Sequence, residues 1–353
     1  MAGELAAPGA GRRPWQAVVR YLVGAAVGAG VVVLLLPKRS DLLAAWHQLG
    51  TGDLGWVAAA VGAEGLSLLT FAWLQQRVLR LSGAMVPLPG LFALSLANDA
   101  IANTVPGEPA VSSAYRYRYY RRCGASAASA GWTIFTILIA QAIGMSLMLL
   151  LGVMVALAGS RSPAGAGVTV AGLVIVAGAV AILIRRDLVL RLAAALMRLL
   201  RLVTGYPRAN IGSRIDATLE RMGEIPLSSR STAGIVAIAT AAWCSDLLCL
   251  LCGFRAVHAA IPWQGVLLAY GVAQVAGSFP LVPGGLGIVE GSLAVVLAAY
   301  GAGRVGAVSA ALAFRLVNFW LAIAVGWVTA AVLTRTMIRE TAARQSSNQS
   351  PGS

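Results

Sequence analysis

Long apolar runs, each about the length needed to cross a bilayer, dominate the pattern of hydrophobic and polar positions along the chain. A transmembrane helix needs about 20 predominantly apolar residues. Six runs meet this requirement, at residues 17–36, 54–74, 126–158, 164–184, 232–251 and 305–334. With 58% hydrophobic and only 11% charged residues, the 353-residue chain is unlike a soluble domain. The pattern predicts an all-α polytopic membrane protein with six spanning helices.

Two further apolar regions, at about 88–120 and 263–300, are interrupted near their middle by proline and glycine. The interruptions are Val-Pro-Gly-Glu-Pro at 105–109 and Pro-Leu-Val-Pro-Gly-Gly-Leu-Gly at 280–287. Proline and glycine both break helices, and broken backbone at membrane depth is tolerated where it is buried in protein or lines a wet cavity. Paired breaks point to a transporter binding site, and a simple kink in each helix is the alternative. We predict that both regions are re-entrant helical hairpins.

The distribution of basic residues supports this topology. If the six runs cross and the hairpins turn back, most of the 27 basic residues fall on one side of the membrane. They lie in the segments 1–20, 75–87, 116–125, 185–231 and 335–353. Basic loops are cytoplasmic in membrane proteins, so both termini are predicted to be cytoplasmic. The two hairpins then enter from opposite sides, which predicts an inverted-repeat architecture.

The same topology divides the chain into one membrane domain and two tails. Residues 1–16 form a cytoplasmic tail, 17–338 a single transmembrane domain, and 339–353 a polar tail predicted to be disordered. The connector at 185–230 places arginines among leucines and is predicted to be a basic helix on an anionic leaflet. A solvated charged loop is the alternative for this connector.

Ionisable residues at membrane depth are costly, and they mark candidate functional sites. They are Glu64, Asp99, Glu108, Asp246, Glu290 and Arg315. Glu108 lies in the first break, Glu290 follows the second, and Arg315 lies in the last span. Because hairpins from opposite sides would meet near the midplane, we expect these three residues to face one polar cavity.

This cavity has the chemistry to bind an anion. Main-chain amides at Gly285 and Gly287, where a helix begins, and the guanidinium of Arg315 are suited to a lipid phosphate. Glu108 and Glu290 would contact a cationic headgroup or balance Arg315; a purely structural Arg–Glu pair is the alternative. Asn103 and Asn318 could donate hydrogen bonds to the ligand, or they could only connect helices. A proton or polar relay is one interpretation of three further carboxylates, and local hydrogen bonding is the other; they are Glu64, Asp99 and Asp246.

Other chemistries find little support in the sequence. The chain has two histidines and four cysteines without the spacing of a metal site, and it has no hydrolase, nucleotide-binding or metalloprotease motif. We therefore expect no catalytic residue, metal or cofactor. The net charge of +14 is explained by cytoplasmic loops and does not predict nucleic-acid binding.

The segment Phe-Pro-Leu-Val-Pro-Gly-Gly-Leu-Gly-Ile-Val-Glu at 279–290 resembles the signature of a flippase-like membrane family that includes the transmembrane region of lysylphosphatidylglycerol synthases. The first break at 103–108 and Arg315 also resemble that family, and the resemblance extends over about residues 17–335. It places six residues on family motif positions: Glu108, Gly284, Gly285, Gly287, Glu290 and Arg315. Pro109 departs from the pattern.

The resemblance implies a membrane domain that moves lipids between leaflets. In some members this domain is fused to a soluble domain that transfers an amino acid to phosphatidylglycerol. Because few residues follow the last span, we do not expect this chain to make lysylphosphatidylglycerol by itself.

The favoured hypothesis is a flippase in a bacterial plasma membrane that moves a phospholipid or a polyprenyl-phosphate-linked lipid. The alternatives are a membrane-embedded transferase with Glu108 or Glu290 as general base, and an accessory subunit that only presents lipid. A homodimer and a complex with a lipid-biosynthesis enzyme both remain open as assemblies.

Overall fold

The computed structural model describes residues 50–105, 108–159, 228–278 and 283–349, with isolated positions at 47, 167, 170 and 172–174. Apart from turns, the regular structure in these ranges is helical. In chain order the helices are α1 (Leu54–Leu81), α2 (Leu88–Thr104), α3 (Glu108–Arg122), α4 (Ala127–Gly159), α5 (Ser229–Ala256), α6 (Val266–Gly277), α7 (Ile288–Ala299), α8 (Arg304–Arg315) and α9 (Ala322–Gln349). The predicted all-α class is confirmed for the described part of the chain.

Four helical segments are long and apolar enough to cross a membrane. They are α1, α4, α5 and the continuous run Arg304–Thr336, which comprises α8, the segment Leu316–Leu321 and about the first half of α9. The shortest has 28 residues, or about 42 Å at 1.5 Å per residue, against a hydrocarbon core of about 30 Å. These segments coincide with four of the six predicted spans and make the chain a multi-pass membrane protein. The other two predictions, 17–36 and 164–184, lie wholly or largely outside the described residues.

The two interrupted regions form two pairs of short helices. Helix α2 ends at Thr104 and α3 begins at Glu108, whereas α6 ends at Gly277 and α7 begins at Ile288. The members of each pair pack against each other, and α6 and α7 have 12 residues each, too few to cross a bilayer. Both breaks are confirmed. That the pairs are re-entrant, oppositely oriented and related as an inverted repeat stays a prediction.

Local sequence explains how each break is built. Pro109 is the second residue of α3, in the first helical turn, where the missing proline N–H is not needed; this departure from the family pattern therefore leaves the helix start intact. In the second break Gly284 and Gly285 have φ of 61° and 62°. Glycine adopts this left-handed conformation without the steric cost of a Cβ.

Packing between distant helices brings the polar residues together. Helix α1 packs along α5, α2 along α9, and α5 also along α8. Some contacts are very close: a Cβ on Gly152 of α4 would lie 2.8 Å from the main-chain nitrogen of Leu268 in α6. Such close approach is typical of helices joined through small residues in membranes.

A π-helical segment, Leu316–Leu321, joins α8 to α9. The sequence pattern predicted one uninterrupted helix here, with neither proline nor glycine in the segment. The wider π turn changes which side chains share a face, and such turns are frequent at functional sites. In this protein the segment contains Asn318 and Phe319 and directly follows Arg315.

Helix α9 extends to Gln349, so its backbone includes much of the tail 339–353 that composition predicted to be disordered. Ala, Arg and Gln have high helix propensity, and elongation of an existing helix is easier than nucleation of a new one. The predicted disorder of the tail 339–353 stays a prediction.

Candidate functional site

The end of α2, next to the first helix break, contacts the second break. A Cβ built on Gly284 would lie 2.9 Å from the main-chain oxygen of Asn103 and would overlap the ring of Phe319. Asn103 is the second-last residue of α2, and Gly284 lies in the short 3-10 turn Pro283–Gly285. The end of α2 therefore contacts the described part of the second break, and the predicted meeting of the two hairpin tips stays a prediction.

Arg315 connects α8 to the second break. Its Nε donates to Oε1 of Glu290 at 2.6 Å, and its Nη2 donates to the main-chain oxygen of Gly284 at 2.8 Å. The guanidinium carbon lies 4.1 Å from the centre of the Phe319 ring, a cation–π geometry. With a side chain only 6% exposed, Arg315 is a buried cation whose position is set from three directions.

Glu290 occupies the place that the sequence analysis assigned to an external anion. Its Oε2 accepts a hydrogen bond from the main-chain N–H of Gly287 at 2.6 Å, while Oε1 binds Arg315. A Glu at the third position of a helix that reaches back to the preceding amide is a capping-box interaction. The protein's own carboxylate therefore fills the positive end of α7, and the binding of an external anion at Gly287 stays a prediction.

A second polar cluster lies beside this ion pair. The side-chain nitrogen of Asn318 donates to Oδ1 of Asp246 at 2.8 Å and to Oε2 of Glu64 at 3.2 Å. The other oxygen of Asp246 accepts from the hydroxyl of Tyr270 at 2.5 Å and from the amide of Gln274 at 2.8 Å. Three helices and the π segment thus contribute to one buried hydrogen-bond network.

The π segment joins the two clusters. Arg315, directly before it, holds Glu290 and Gly284, whereas Asn318 holds Glu64 and Asp246. Any movement of this segment would therefore change both sets of hydrogen bonds.

Asp99 lies near both clusters. Its Oδ1 accepts from the side chain of Asn103 at 3.2 Å, and the carboxyl group interacts electrostatically with Asp246, Arg116 and Arg315. The second oxygen, Oδ2, is buried without a hydrogen-bond partner among the described residues. Buried polar atoms are rarely left unpaired in proteins, which makes this atom a candidate contact for water or ligand.

The structure positions the remaining predicted residues as follows. Glu108 is the first residue of α3, next to the first break, and its side chain is outside the described part. A Cβ on Gly285 would lie 3.0 Å from the Cα of Gly277, so Gly285 allows the turn to pack closely on α6. Among the described residues, no group of three or more His, Cys, Asp or Glu is arranged to hold a metal ion.

Sequence reasoning missed Tyr270 and Gln274. Both lie in the first arm of the second hairpin, four residues apart and therefore on one face of α6. Gln274 is a polar residue in a strongly apolar segment, the same signal that identified the ionisable residues. That signal was applied to charged side chains and to Asn103 and Asn318, but not to Gln274.

Arg116 of α3 belongs to a separate contact. In the orientation that satisfies both ends of the Asn98 amide, the nitrogen donates to the main-chain oxygen of Ser112 at 2.8 Å. The amide oxygen accepts from Nη2 of Arg116 at 2.7 Å. The guanidinium also lies 5.1 Å from the centre of the Phe71 ring. Arg116 thereby links α3 to α2 and α1.

The long apolar helices and the buried ion pair at two broken helices define a multi-pass membrane protein with a polar core. More specifically, the chain belongs to the family described as the lysylphosphatidylglycerol synthase TM region, whose family model matches residues 21–326. No curated protein matches the chain. Family membership confirms the resemblance inferred from 279–290 and relates the chain to membrane lipids.

Asn318 offers a test of the second cluster. Replacing Asn318 by Leu removes the donor shared by Asp246 and Glu64, and a buried acceptor left unpaired costs about 1–3 kcal/mol. We expect the variant to unfold at a lower fraction of SDS in mixed micelles. Thr329→Val is the matched control, because the Thr329 hydroxyl bonds only within its own helix. Equal stability of the two variants would contradict the network.

Proposed function

We propose that the protein moves a phospholipid or a polyprenyl-phosphate-linked lipid between leaflets, without modifying it chemically. The observation that carries this proposal is the contact of Asn103, at the end of α2 next to the first break, with Gly284 in the second break, where the buried Arg315 also binds. Discontinuous helices whose breaks meet inside a membrane protein are typical of transporter binding sites.

The chemistry of the ion pair suits a phosphate headgroup. Nη1 of Arg315 makes no hydrogen bond to a described residue, whereas Nε and Nη2 hold Glu290 and Gly284. Arginine binds phosphate through two parallel N–H groups. In our proposal the phosphate competes with the carboxylate of Glu290 for Arg315 and for the Gly287 amide.

This exchange would keep the buried charge balanced at each stage. An unpaired arginine inside the membrane is costly, so Glu290 would return to Arg315 when the lipid leaves. In this proposal Glu290 is an internal substitute for the phosphate, and the pair is the resting state of the site.

The proposal includes the finer architecture inferred from sequence. Six spans and two oppositely oriented re-entrant hairpins would lie in a bacterial plasma membrane with both termini in the cytoplasm. The basic connector at 185–230 would then face the anionic cytoplasmic leaflet. The cavity between the hairpins would be open to one leaflet at a time.

The proposal is tested by measuring leaflet movement in proteoliposomes. Trace fluorescent phospholipids and polyprenyl phosphates are placed in one leaflet, and an impermeant quencher reports their arrival in the other, with protein-free liposomes as control. We expect faster movement of at least one lipid class, recovered with unchanged mass. Recovery of a lipid with altered mass would favour a transferase, and binding without movement would favour an accessory role; either result contradicts the proposal.

A further inference from the structure

Glu64 and Asp246 are two buried carboxyl groups that share a single amide donor. Their residues are 8% and 4% exposed, and both side chains bond to the same nitrogen of Asn318. Oxygens bonded to one nitrogen at 2.8 and 3.2 Å are within about 6 Å of each other.

Neither carboxyl group forms an ion pair with a described residue. The buried cation nearest in sequence to Asn318 is Arg315, and its ion pair is with Glu290. Two carboxylates that share one donor in a buried site repel strongly at low dielectric, and a proton on one of them removes this repulsion. We therefore expect Glu64 and Asp246 to share one bound proton.

The donors around the pair are distributed unequally. Asp246 accepts from Tyr270, Gln274 and Asn318, whereas Glu64 accepts from Asn318 alone among the described side chains. Hydrogen bonds donated to a carboxylate stabilise its charged form, so the carboxylate with more donors binds a proton less readily. Glu64 is consequently the member suited to gain and lose the proton, with Asp246 as its fixed acceptor.

A separate observation points to a ligand at this position. Oδ2 of Asp99, on α2, is buried and unpartnered among the described residues, and its carboxyl group interacts electrostatically with Asp246 and Glu64. A buried polar atom without a protein partner is commonly satisfied by water. Such a water would provide a route by which a proton reaches the pair.

The surroundings of the pair contain few other titratable groups. Cys249 of α5 and Tyr270 of α6 face the two carboxyls, and α4 carries no titratable side chain. Around Asp99 the charged groups are Arg116 and Arg315, and Glu290 is neutralised by Arg315. Because these cations bond to other groups, a proton is the simplest way to reduce the negative charge of Glu64 and Asp246.

The pair is also connected to the proposed lipid site. Asn318 lies three residues after Arg315, in the π segment. Loss of the proton would therefore alter the hydrogen bonds of Asn318 close to the ion pair between Arg315 and Glu290. A π turn and a regular helical turn are two discrete arrangements, which suits an element that couples two sites.

We propose that Glu64 and Asp246 form a proton-binding site, and that exchange of this proton drives the movement of lipid. This inference rests on the proposed function and adds its energy source. It predicts that the direction of a proton gradient sets the direction in which lipid accumulates.

The first experiment measures lipid asymmetry under an imposed proton gradient. A gradient of about one pH unit corresponds to about 1.4 kcal/mol per proton, so coupling to one proton allows up to about a tenfold excess of trace lipid in one leaflet. We expect the excess to reverse when the gradient is reversed and to vanish in Glu64→Gln. Asp53→Asn is the matched control, because Asp53 is an exposed helix cap and asparagine caps equally well.

A second experiment tests proton binding without lipid movement. Infrared difference spectra across pH are expected to show the C=O band of a protonated carboxyl in the detergent-solubilised protein. The band should be lost in Glu64→Gln and retained in Asp53→Asn. Both replacements are nearly isosteric, and thermal unfolding identifies a variant that has lost its fold.

The outcomes separate this inference from the proposed function. Lipid movement whose direction does not depend on the proton gradient would overturn the inference and leave the proposed function intact. Absence of movement for every lipid would overturn the proposed function, and the infrared band would then decide proton binding by itself. A wild-type spectrum without a band sensitive to Glu64→Gln would overturn the proton site.

Discussion

Replacement of Arg315 by Met is expected to slow lipid movement strongly even when Glu290 is neutralised in the same chain. The single variant leaves a buried carboxylate without its cation, and breaking one side of a buried pair costs about 3–5 kcal/mol of stability. The double variant Arg315→Met/Glu290→Gln removes both charges and keeps an acceptor for the Gly287 amide. We expect its unfolding midpoint to return close to that of the wild type.

We do not expect the double variant to recover lipid movement together with its stability. A charge-assisted hydrogen bond contributes about 1.5–3 kcal/mol, and each 1.4 kcal/mol corresponds to about tenfold in rate. If the phosphate binds Arg315, the double variant should move lipid at least about tenfold more slowly than the wild type. The proteoliposome assay measures the rate, and SDS titration measures stability. Recovery of both in the double variant would mean that the Arg–Glu pair is purely structural.

A Cβ at Gly284 is expected to destabilise the protein more than at any other position in the second break. In Gly284→Ala the new methyl group would overlap the Phe319 ring and crowd the main-chain oxygen of Asn103. The residue would also keep φ near 61°, which costs a residue with a Cβ about 1–2 kcal/mol. Overpacking adds about 1–3 kcal/mol, so we expect a clearly lower thermal midpoint in detergent.

Gly291→Ala is the matched control for this variant. Gly291 lies in α7, a few residues after the break, and a Cβ there meets no atom within 4 Å. Alanine also has the higher helix propensity, so the control should be as stable as the wild type or more stable. If both alanine variants unfold at the same temperature, the two tips do not meet as closely as described.

The positions of the helix breaks could be predicted because their causes are local. Proline removes a donor and glycine permits positive φ wherever they occur, and both are printed in the sequence at 105–109 and 280–287. The same holds for Glu290 and Arg315, whose charge at membrane depth required a partner. Sequence therefore indicated that these residues belong to one site.

The partners within the site could not be predicted in the same way. Asn318 and Glu64 are 254 positions apart, and their contact depends on how α1, α5 and the π segment pack. The π segment contains neither proline nor glycine, so the local rules that locate the two breaks do not locate it. The Glu290 carboxylate binds the Gly287 amide at the start of α7. This contact depends on the conformation of the Glu290 side chain, which the sequence does not specify.

The sequence by itself determined the class of protein, the position of the four described spans and the two breaks, because these follow from hydrophobic length and from the local chemistry of proline and glycine. Only the tertiary structure decided that Arg315 bonds to Glu290 and Gly284, and that Asn318 joins Glu64 to Asp246. These contacts join helices that are distant along the chain. Their formation depends on close packing between helix surfaces, a property that no single stretch of sequence specifies.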